Sequence, residues 1–358
     1  MPASILDMSR DELRQAVTHA GFPVYRADQL ADWVFVKGIT DPAAMTNLPK
    51  ARQSAPPSPD AAATCALGVE ILSSRLVASD QDADGTTKLL IEFADGQRAE
   101  TVLIPEPSRA TACLSTQIGC AMGCRFCASG AGGFVRNMTA AEILQQVLHL
   151  RHALANPGAM AAPRITNVVF MGMGEPLANY AATIAAVGSL IDPDRFALSA
   201  RSITISTIGP ARAIRRLANE NLPITLAISL HAPTDELRRS IMPAVRDSID
   251  ELMSAAEYFF QSRKREVTLE YVLIDSVNDT MLCADALANL ARRVRCNVNL
   301  IALNPTDDCP YNRPTSGAVR NFAARLKNRG VNVHVRQSRG GGQSAACGQL
   351  RLRKEPQE

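Results

Sequence analysis

Four of the chain's nine cysteines, Cys113, Cys120, Cys124 and Cys127, fall within fifteen residues. Cys120-x-x-x-Cys124-x-x-Cys127 is set among Gly119, Gly123, Gly130, Gly132 and Gly133, which let a backbone curl tightly. Thiolates converging from one tight loop are what an iron–sulfur cubane needs. Ordinary four-iron clusters take four cysteines, so three leave one iron open to a further ligand. In this spacing the open iron chelates the amino and carboxylate groups of S-adenosylmethionine, and one-electron reduction then releases a 5′-deoxyadenosyl radical. A zinc site is the competing reading. Structural zinc takes four ligands with shorter paired spacings, and Cys113 could serve as the fourth.

Other residues have the right types to serve that chemistry. Gly172-Met-Gly-Glu175-Pro176 carries a carboxylate that could hold a cofactor ammonium, while Gly174 lets the backbone come close. Ser206, the turn Ser229-Leu230-His231 and Asn304 suit a ribose and a carboxylate. Each of these taken singly reads as readily as a turn or cap residue. Cys347 follows the run Gly340-Gly341-Gly342 and sits in Ser344-Ala-Ala-Cys347-Gly348, which suits a nucleophile that must travel. A lone cysteine among small residues is otherwise most often a packed apolar group.

The elements that must position these residues form three regions. Residues 1–50 read as short helices, Asp7 to His19 and Arg26 to Lys37, with Leu30, Trp33 and Val34 on one face of the second. Residues 51–64 contain Pro56-Pro57-Ser-Pro59 and read as a linker. Residues 65–109 read as strands turned at Asp84-Gly85 and Asp95-Gly96, a small antiparallel unit in front of the main domain. Residues 110–358 alternate strand and helix. The expected strands are Ala112–Thr116, Ile165–Met171, Ser202–Thr207, Ile224–Leu230, Val267–Ile274, Val298–Leu303 and Val331–Val335. The expected helices are Thr139–Leu154, Tyr180–Ile191, Pro210–Asn219, Ile249–Arg263, Thr280–Val294 and Thr315–Asn328. Such units imply an α/β class with parallel strands and helical crossovers, an open or closed barrel whose active residues lie at the strands' carboxyl ends.

Composition bounds the rest. The 358 residues are 46% hydrophobic and 20% charged, a globular balance. No apolar run approaches the ~20 residues that span a bilayer, so no membrane partner is expected. The opening lacks a basic segment followed by an apolar stretch, so a cytoplasmic protein is expected. In a reducing compartment an odd cysteine count favours metal or catalysis over a disulfide scaffold. Net charge is only +3. Arg215-Arg216, Arg263-Lys264-Arg265, Arg292-Arg293 with Arg295, and Arg351, Arg353 and Lys354 form basic clusters that could track RNA phosphates, though most such clusters are solvated faces.

Taken together, the motifs resemble the RlmN family of radical S-adenosylmethionine RNA methyltransferases. The resemblance covers nearly the whole chain. It rests on Phe22 to Gly38, Ala99-Glu100-Thr101-Val102, Cys113-Leu-Ser-Thr-Gln-Ile-Gly-Cys120 and Phe134 to Glu142. It continues through Met171-Gly-Met-Gly-Glu-Pro-Leu177, Ser229-Leu-His-Ala-Pro233, Glu270-Tyr-Val-Leu-Ile274, Asn299-Leu-Ile301, Asn304-Pro305 and Ala346-Cys-Gly-Gln-Leu350. One departure is Gln343-Ser344-Ala345, where the family usually has an aliphatic and an acidic residue.

The resemblance implies a partial (βα)6 radical SAM barrel, with a [4Fe-4S] cluster on Cys120, Cys124 and Cys127. It implies S-adenosylmethionine held by Gly174, Glu175, Ser206, Ser229, Leu230, His231 and Asn304. The implied reaction puts a methyl group on carbon 2 of adenosine in 23S rRNA and in tRNA beside the anticodon, using two S-adenosylmethionine molecules per turnover. In the family's scheme Cys347 first accepts a methyl group and becomes S-methylcysteine. The deoxyadenosyl radical from the second molecule removes hydrogen from that methyl, and the methylene radical adds to carbon 2. Glu100, or its neighbour Glu106, takes the carbon 2 proton. Cys113 then frees the RNA by forming a disulfide with Cys347, which an external reductant must reset. A flavodoxin-type donor or reductase would supply the electron. Cys65, Cys283, Cys296 and Cys309 are read as structural or incidental. Two alternatives stay open: methylation at adenine carbon 8 by the same apparatus, and a non-catalytic, metal-containing RNA-binding protein.

Overall fold

The computed structural model describes residues 4–49, 63–64, 66–130, 132–155, 164–305 and 309–336. Its frame is one ten-stranded sheet: β1 (Arg75–Gln81), β2 (Thr87–Glu92), β3 (Arg98–Glu106), β4 (Arg109–Cys113), β5 (Ile165–Phe170), β6 (Ile203–Thr207), β7 (Thr225–Ser229), β8 (Val267–Leu273), β9 (Cys296–Ala302) and β10 (Val333–Arg336). Spatial order equals chain order throughout. β1 to β4 pair antiparallel, and β4 to β10 pair parallel. The antiparallel strands, expected as a small unit set in front, are therefore continuous with the parallel sheet through the β3–β4 pairing.

Six connections join the seven parallel strands, through α3 (Ala140–Ala155), α4 (Tyr180–Ile191), α5 (Ala211–Asn219), the pair α6 (Asp235–Ile241) and α7 (Ile249–Arg263), α8 (Met281–Ala291) and α9 (Ser316–Asn328). A sheet that grows in one direction by right-handed crossovers collects all its helices on one face. Alternation along β8 shows the two sides. Leu269, Tyr271 and Leu273 join the buried core, and Tyr271 stacks on Phe322 of α9 at 5.5 Å. Thr268, Glu270 and Val272 point to the other face, the barrel lumen. Leu90, Val102, Cys113 and Ala227 are buried yet lie outside that core cluster, so they mark the lumen face of β2, β3, β4 and β7.

Local chemistry fixes the helix boundaries. Ser248 and Glu251 form a reciprocal cap at the start of α7, and Thr280 and Thr315 cap α8 and α9. In the front region α1 (Arg10–His19) carries the same Ser9–Glu12 box. The expected helix Arg26–Lys37 divides into α2 (Tyr25–Ala31) and a wider turn over Asp32–Val36, closed by Lys37 N–H to Asp32 O. That extra residue per turn buries Val34 and Phe35 side by side. Among the described residues, no helix is long and apolar enough to cross a membrane.

Candidate active site

The segment after β4 is held where a strand would otherwise fray. Gln146 of α3 accepts from the Ser115 amide at 2.9 Å and donates to the Ser115 carbonyl at 2.8 Å. The expected strand Ala112–Thr116 thus ends as regular strand at Cys113; Leu114 still bonds the backbone of Val169 and Gly172, and at Ser115 a side chain takes over. A short hairpin of Gln117–Gly119 with Phe134–Asn137 then brackets the cysteine loop. The loop closes where the Cys120 amide donates to the Gly133 carbonyl at 2.8 Å. Gly119 sits at φ +73°, and an added Cβ there would lie 1.9 Å from that same carbonyl oxygen.

A cleft of ≈ 220 Å³ opens at the carboxyl ends of the parallel strands, lined by Cys120, Cys124 and Cys127 on one side and Ser206, Ser229 and His231 on the other. Gly174, Glu175, Glu270 and Arg336 complete its walls. Burial pushes the Cys120 thiol up to about 11, opposed by amide donors at Met122 and Gly174. Cys124 is pushed higher still by burial, then by the charges of Cys127 and Cys120. Three half-buried sulfurs that repel one another as thiolates need a cationic centre among them. Amides aimed at the Cys120 sulfur stabilise just such a ligated thiolate. The residues therefore fit a cubane cluster held by these three cysteines. Among the described residues, no three His, Cys, Asp or Glu side chains are arranged to grip a single metal ion.

Glu175 lies at the floor. Its Oε1 accepts from Thr207 Oγ1 at 2.7 Å and the Leu177 amide at 2.9 Å, and its Oε2 accepts from the Ile208 amide at 2.9 Å. Burial raises its pKa against these three donors. The carboxylate thereby ties the end of β5 to the end of β6, besides facing the cleft. Glu175→Ala is expected to leave two buried amides unpaired. At about 1–3 kcal/mol each, a loss of roughly 2 kcal/mol or more should appear as a lower midpoint in urea unfolding. An unchanged midpoint would show that water or a neighbour takes over both amides.

His231 adopts φ +57°, packs edge-on to Phe126 at 5.0 Å and accepts from the Val272 amide at Nδ1. Burial, reinforced by the Arg238 charge, pushes its pKa down to about 3, so at neutral pH it is an uncharged imidazole. Arg238 of α6 is fully buried and binds the carbonyls of Leu230, Ile208 and Ser229, pinning the ends of β6 and β7. Neither α6 nor this role was expected from sequence. A seven-residue helix is too short to show a period, and an arginine on it reads as solvated.

Two expected cofactor residues stand apart. The Leu230 side chain is fully buried, its amide donates to Glu270 O, and its carbonyl accepts from Arg238. Asn304 follows β9 outside the cleft lining, and its Oδ1 lies 3.4 Å from Arg313. Cys113 and Glu100 also lie outside the cleft lining, but register puts both on the lumen face. Cys113 pairs with Val102, two residues from Glu100, and Ser115 Oγ donates to Glu100 O at 2.6 Å. Glu106 lies at the opposite, amino-terminal end of β4, ion-paired with Arg109 at 2.5 Å. Cys347 and Cys65 lie outside the described residues. Cys296 donates to Ala291 O at the base of β9.

Several basic clusters noted in the sequence are engaged. Arg293 pairs with Asp250, Arg295 with Glu266, and Arg215 and Arg216 stack over Tyr258 and Tyr180.

Comparison with known proteins adds a second line. Residues 114–287 match the model of the Radical SAM superfamily, and residues 3–54 match that of the "Ribosomal RNA large subunit methyltransferase N-terminal domain". A relative from Parafrankia sp., named "Probable dual-specificity RNA methyltransferase RlmN", is 45% identical, covering 98% of this chain and 91% of its own. One of the same name from Symbiobacterium thermophilum is 44% identical, covering 97% and 90%. The crystal structure of a radical SAM methyltransferase from Sphaerobacter thermophilus superposes with a TM-score of 0.88 at 41% identity, over 97% of this chain and 99% of that one.

Proposed function

This chain belongs to the RlmN family of radical SAM methyltransferases, and from that membership we propose that it methylates carbon 2 of adenosine in 23S rRNA and in tRNA beside the anticodon. When bound, the cluster and S-adenosylmethionine supply the one-electron route to a carbon that polar methyl transfer does not reach. Carbon 2 of adenine lies between two ring nitrogens and is electron-poor, so it does not attack a sulfonium as an amine would.

The chain's own residues do the rest. Cys120, Cys124 and Cys127 hold the cluster. Cys347 carries the methyl group as S-methylcysteine, taken from the first of two S-adenosylmethionine molecules. Glu100 accepts the carbon 2 proton, and Cys113 releases the RNA by forming a disulfide with Cys347 as the bond from the Cys347 sulfur to the RNA-bound carbon breaks, its electron pair staying with that carbon, which becomes the methyl group. Gly174, Glu175, Ser206, Ser229, His231 and Asn304, with the Leu230 backbone, surround the cofactor. A cytoplasmic setting suits both the RNA substrates and a flavodoxin-type electron donor.

The observation that carries this reading is the strand register. It sets Glu100 near Cys113 on the lumen face, at the catalytic end of β4, and leaves Glu106 tied to Arg109 at the other end. The test is to map the methyl on 23S rRNA and tRNA treated anaerobically with the cluster-loaded protein, S-adenosylmethionine and a reductant. A methyl at carbon 2 in both RNAs is expected. A methyl at carbon 8 would assign the other member of the superfamily's chemistry. A colourless zinc protein that binds RNA and leaves it unmethylated would end the enzymatic reading.

A further inference from the structure

A second cavity, of ≈ 880 Å³, lies at the other end of the barrel, between the front region and the amino-terminal ends of the parallel strands. Four cations line it, Lys37, Arg151, Arg164 and Arg195, and no described Asp or Glu does. Two of the four are accounted for. Lys37 pairs with Asp32 at 2.7 Å. Arg195 donates to Ser189 Oγ and to the carbonyls of Ile5 and Leu6, and Asp192 and Asp7 act on its charge. Arg151, near the end of α3, donates to the Phe35 carbonyl and has no ion-pair partner among the described residues. Burial lowers its pKa with nothing opposing. Arg164, at the start of β5, is exposed and likewise unpaired among the described residues. The eight residues between Ala155 and Arg164 include no Asp or Glu. A half-buried guanidinium without a counter-charge is costly.

The missing counter-charge is an anion, and the neutral lining narrows its type. Ser108, Thr166, Ser199 and Ser202 line the same cavity. Phosphate oxygens accept from guanidinium and hydroxyl donors alike. The aromatic rings are already taken. Phe35 and Phe196 are 3% and 4% exposed and meet edge to face at 5.4 Å. Arg195 and Arg151 cover them at 4.7 Å and 4.9 Å. A nucleobase therefore finds no free ring to stack on, and the groove suits backbone rather than bases. Its size, with cations drawn from both the front region and the barrel, suits a run of phosphates more than a single one.

We propose that this groove binds the phosphodiester backbone of the substrate RNA, at a stretch remote from the target adenosine, through Arg151 and Arg164 and without reading sequence. This rests on the RNA methyltransferase reading above. The catalytic cleft lies at the carboxyl ends of the same strands. Only an RNA large enough to pass the edge of the barrel reaches both, so the groove favours a folded RNA over a short strand carrying the same adenosine.

The test is equilibrium binding of unmodified tRNA and of a 23S rRNA fragment to the full chain, anaerobic and cluster-loaded, over a range of potassium chloride. Arg151→Gln/Arg164→Gln is expected to bind about tenfold more weakly at ~0.15 M salt, with the slope of log K against log salt shallower by roughly 1.4 to 1.8, as for two lost phosphate contacts. Arg212→Gln/Arg320→Gln removes the same charge from exposed positions on α5 and α9 outside the groove, and should change the slope less than half as much. Arg151→Lys keeps the charge and should keep the slope, which separates charge from packing. Should Arg151→Gln fail to fold, Arg164→Glu alters a side chain with no partner among the described residues and should weaken binding at least about fivefold. Equal slopes in the groove and control variants would overturn the proposal. So would unchanged RNA affinity in a groove variant that has lost a rise in urea midpoint given to wild type by inorganic phosphate, which would assign a free-anion site. Wild-type protein that bound neither RNA would overturn the RNA reading itself, which distinguishes the two failures.

Discussion

Cys113→Ala protein, given S-adenosylmethionine, a reductant and substrate RNA, is expected to end with RNA covalently joined to Cys347. Turnover should stop after about one event per chain, because the thiol that opens the linkage is gone. A labelled RNA would migrate with the protein on a denaturing gel, in near-stoichiometric yield against a trace for wild type. Cys347→Ala should give neither adduct nor methylated RNA and should keep its iron. The position of Cys113 suits the role. It is 5% exposed, in the lumen wall, where small oxidants and stray thiols have poor access. Methylation at the wild-type rate in Cys113→Ala would remove the disulfide step from the scheme, and methylation in Cys347→Ala would remove the methyl carrier.

Gly119→Ala is expected to abolish the cluster. At φ +73° any residue with a Cβ is strained by about 1–2 kcal/mol, and this Cβ would also sit 1.9 Å from the Gly133 carbonyl. That carbonyl accepts the Cys120 amide, so relief of the overlap must pull Cys120 out of register with Cys124 and Cys127. Iron bound after anaerobic reconstitution should fall more than tenfold, and methylation with it. Gly132→Ala is the matched control in the same loop. Its Cβ would meet nothing within 4 Å, so its iron content should stay at the wild-type level. Full iron loading in Gly119→Ala would mean that the hairpin does not set the cysteine geometry.

What was legible in the sequence divides by range. The helices Tyr180–Ile191 and Ile249–Arg263 match their expected limits, the first from its run of apolar residues and the second from its apolar spacing and the local Ser248–Glu251 cap. The cysteines and Glu175 are likewise spelled by short motifs beside glycines, and they do meet in one cleft. The end of β4 differs from its expected limit because Ser115 is held by Gln146, a side chain thirty-one positions away. The continuity of the antiparallel strands with the barrel was hidden for a related reason. Alternation within β3 looks the same whether its far edge meets β4 or solvent. Glu270 was visible only as part of a motif. Its place in the cleft wall comes from the register of three strands, and no local window contains all three. Arg238 is the extreme case, a charged residue whose burial follows from three carbonyls on two strand ends.

The one-directional strand order has a further consequence, for biogenesis. Within the ten-stranded sheet, every strand from β2 to β10 pairs with the strand of that sheet that precedes it in the chain, only the short hairpin of the cysteine loop intervening between β4 and β5. A nascent chain can therefore add each strand to an edge already laid down, without waiting for a distant partner. The three cysteines proposed to hold the cluster leave the ribosome well before β10, and Cys347 follows as the last of the nine cysteines. Iron delivery to a growing sheet would thus precede arrival of the thiol proposed to carry the methyl group, and the order of synthesis itself would keep that thiol from competing for the metal.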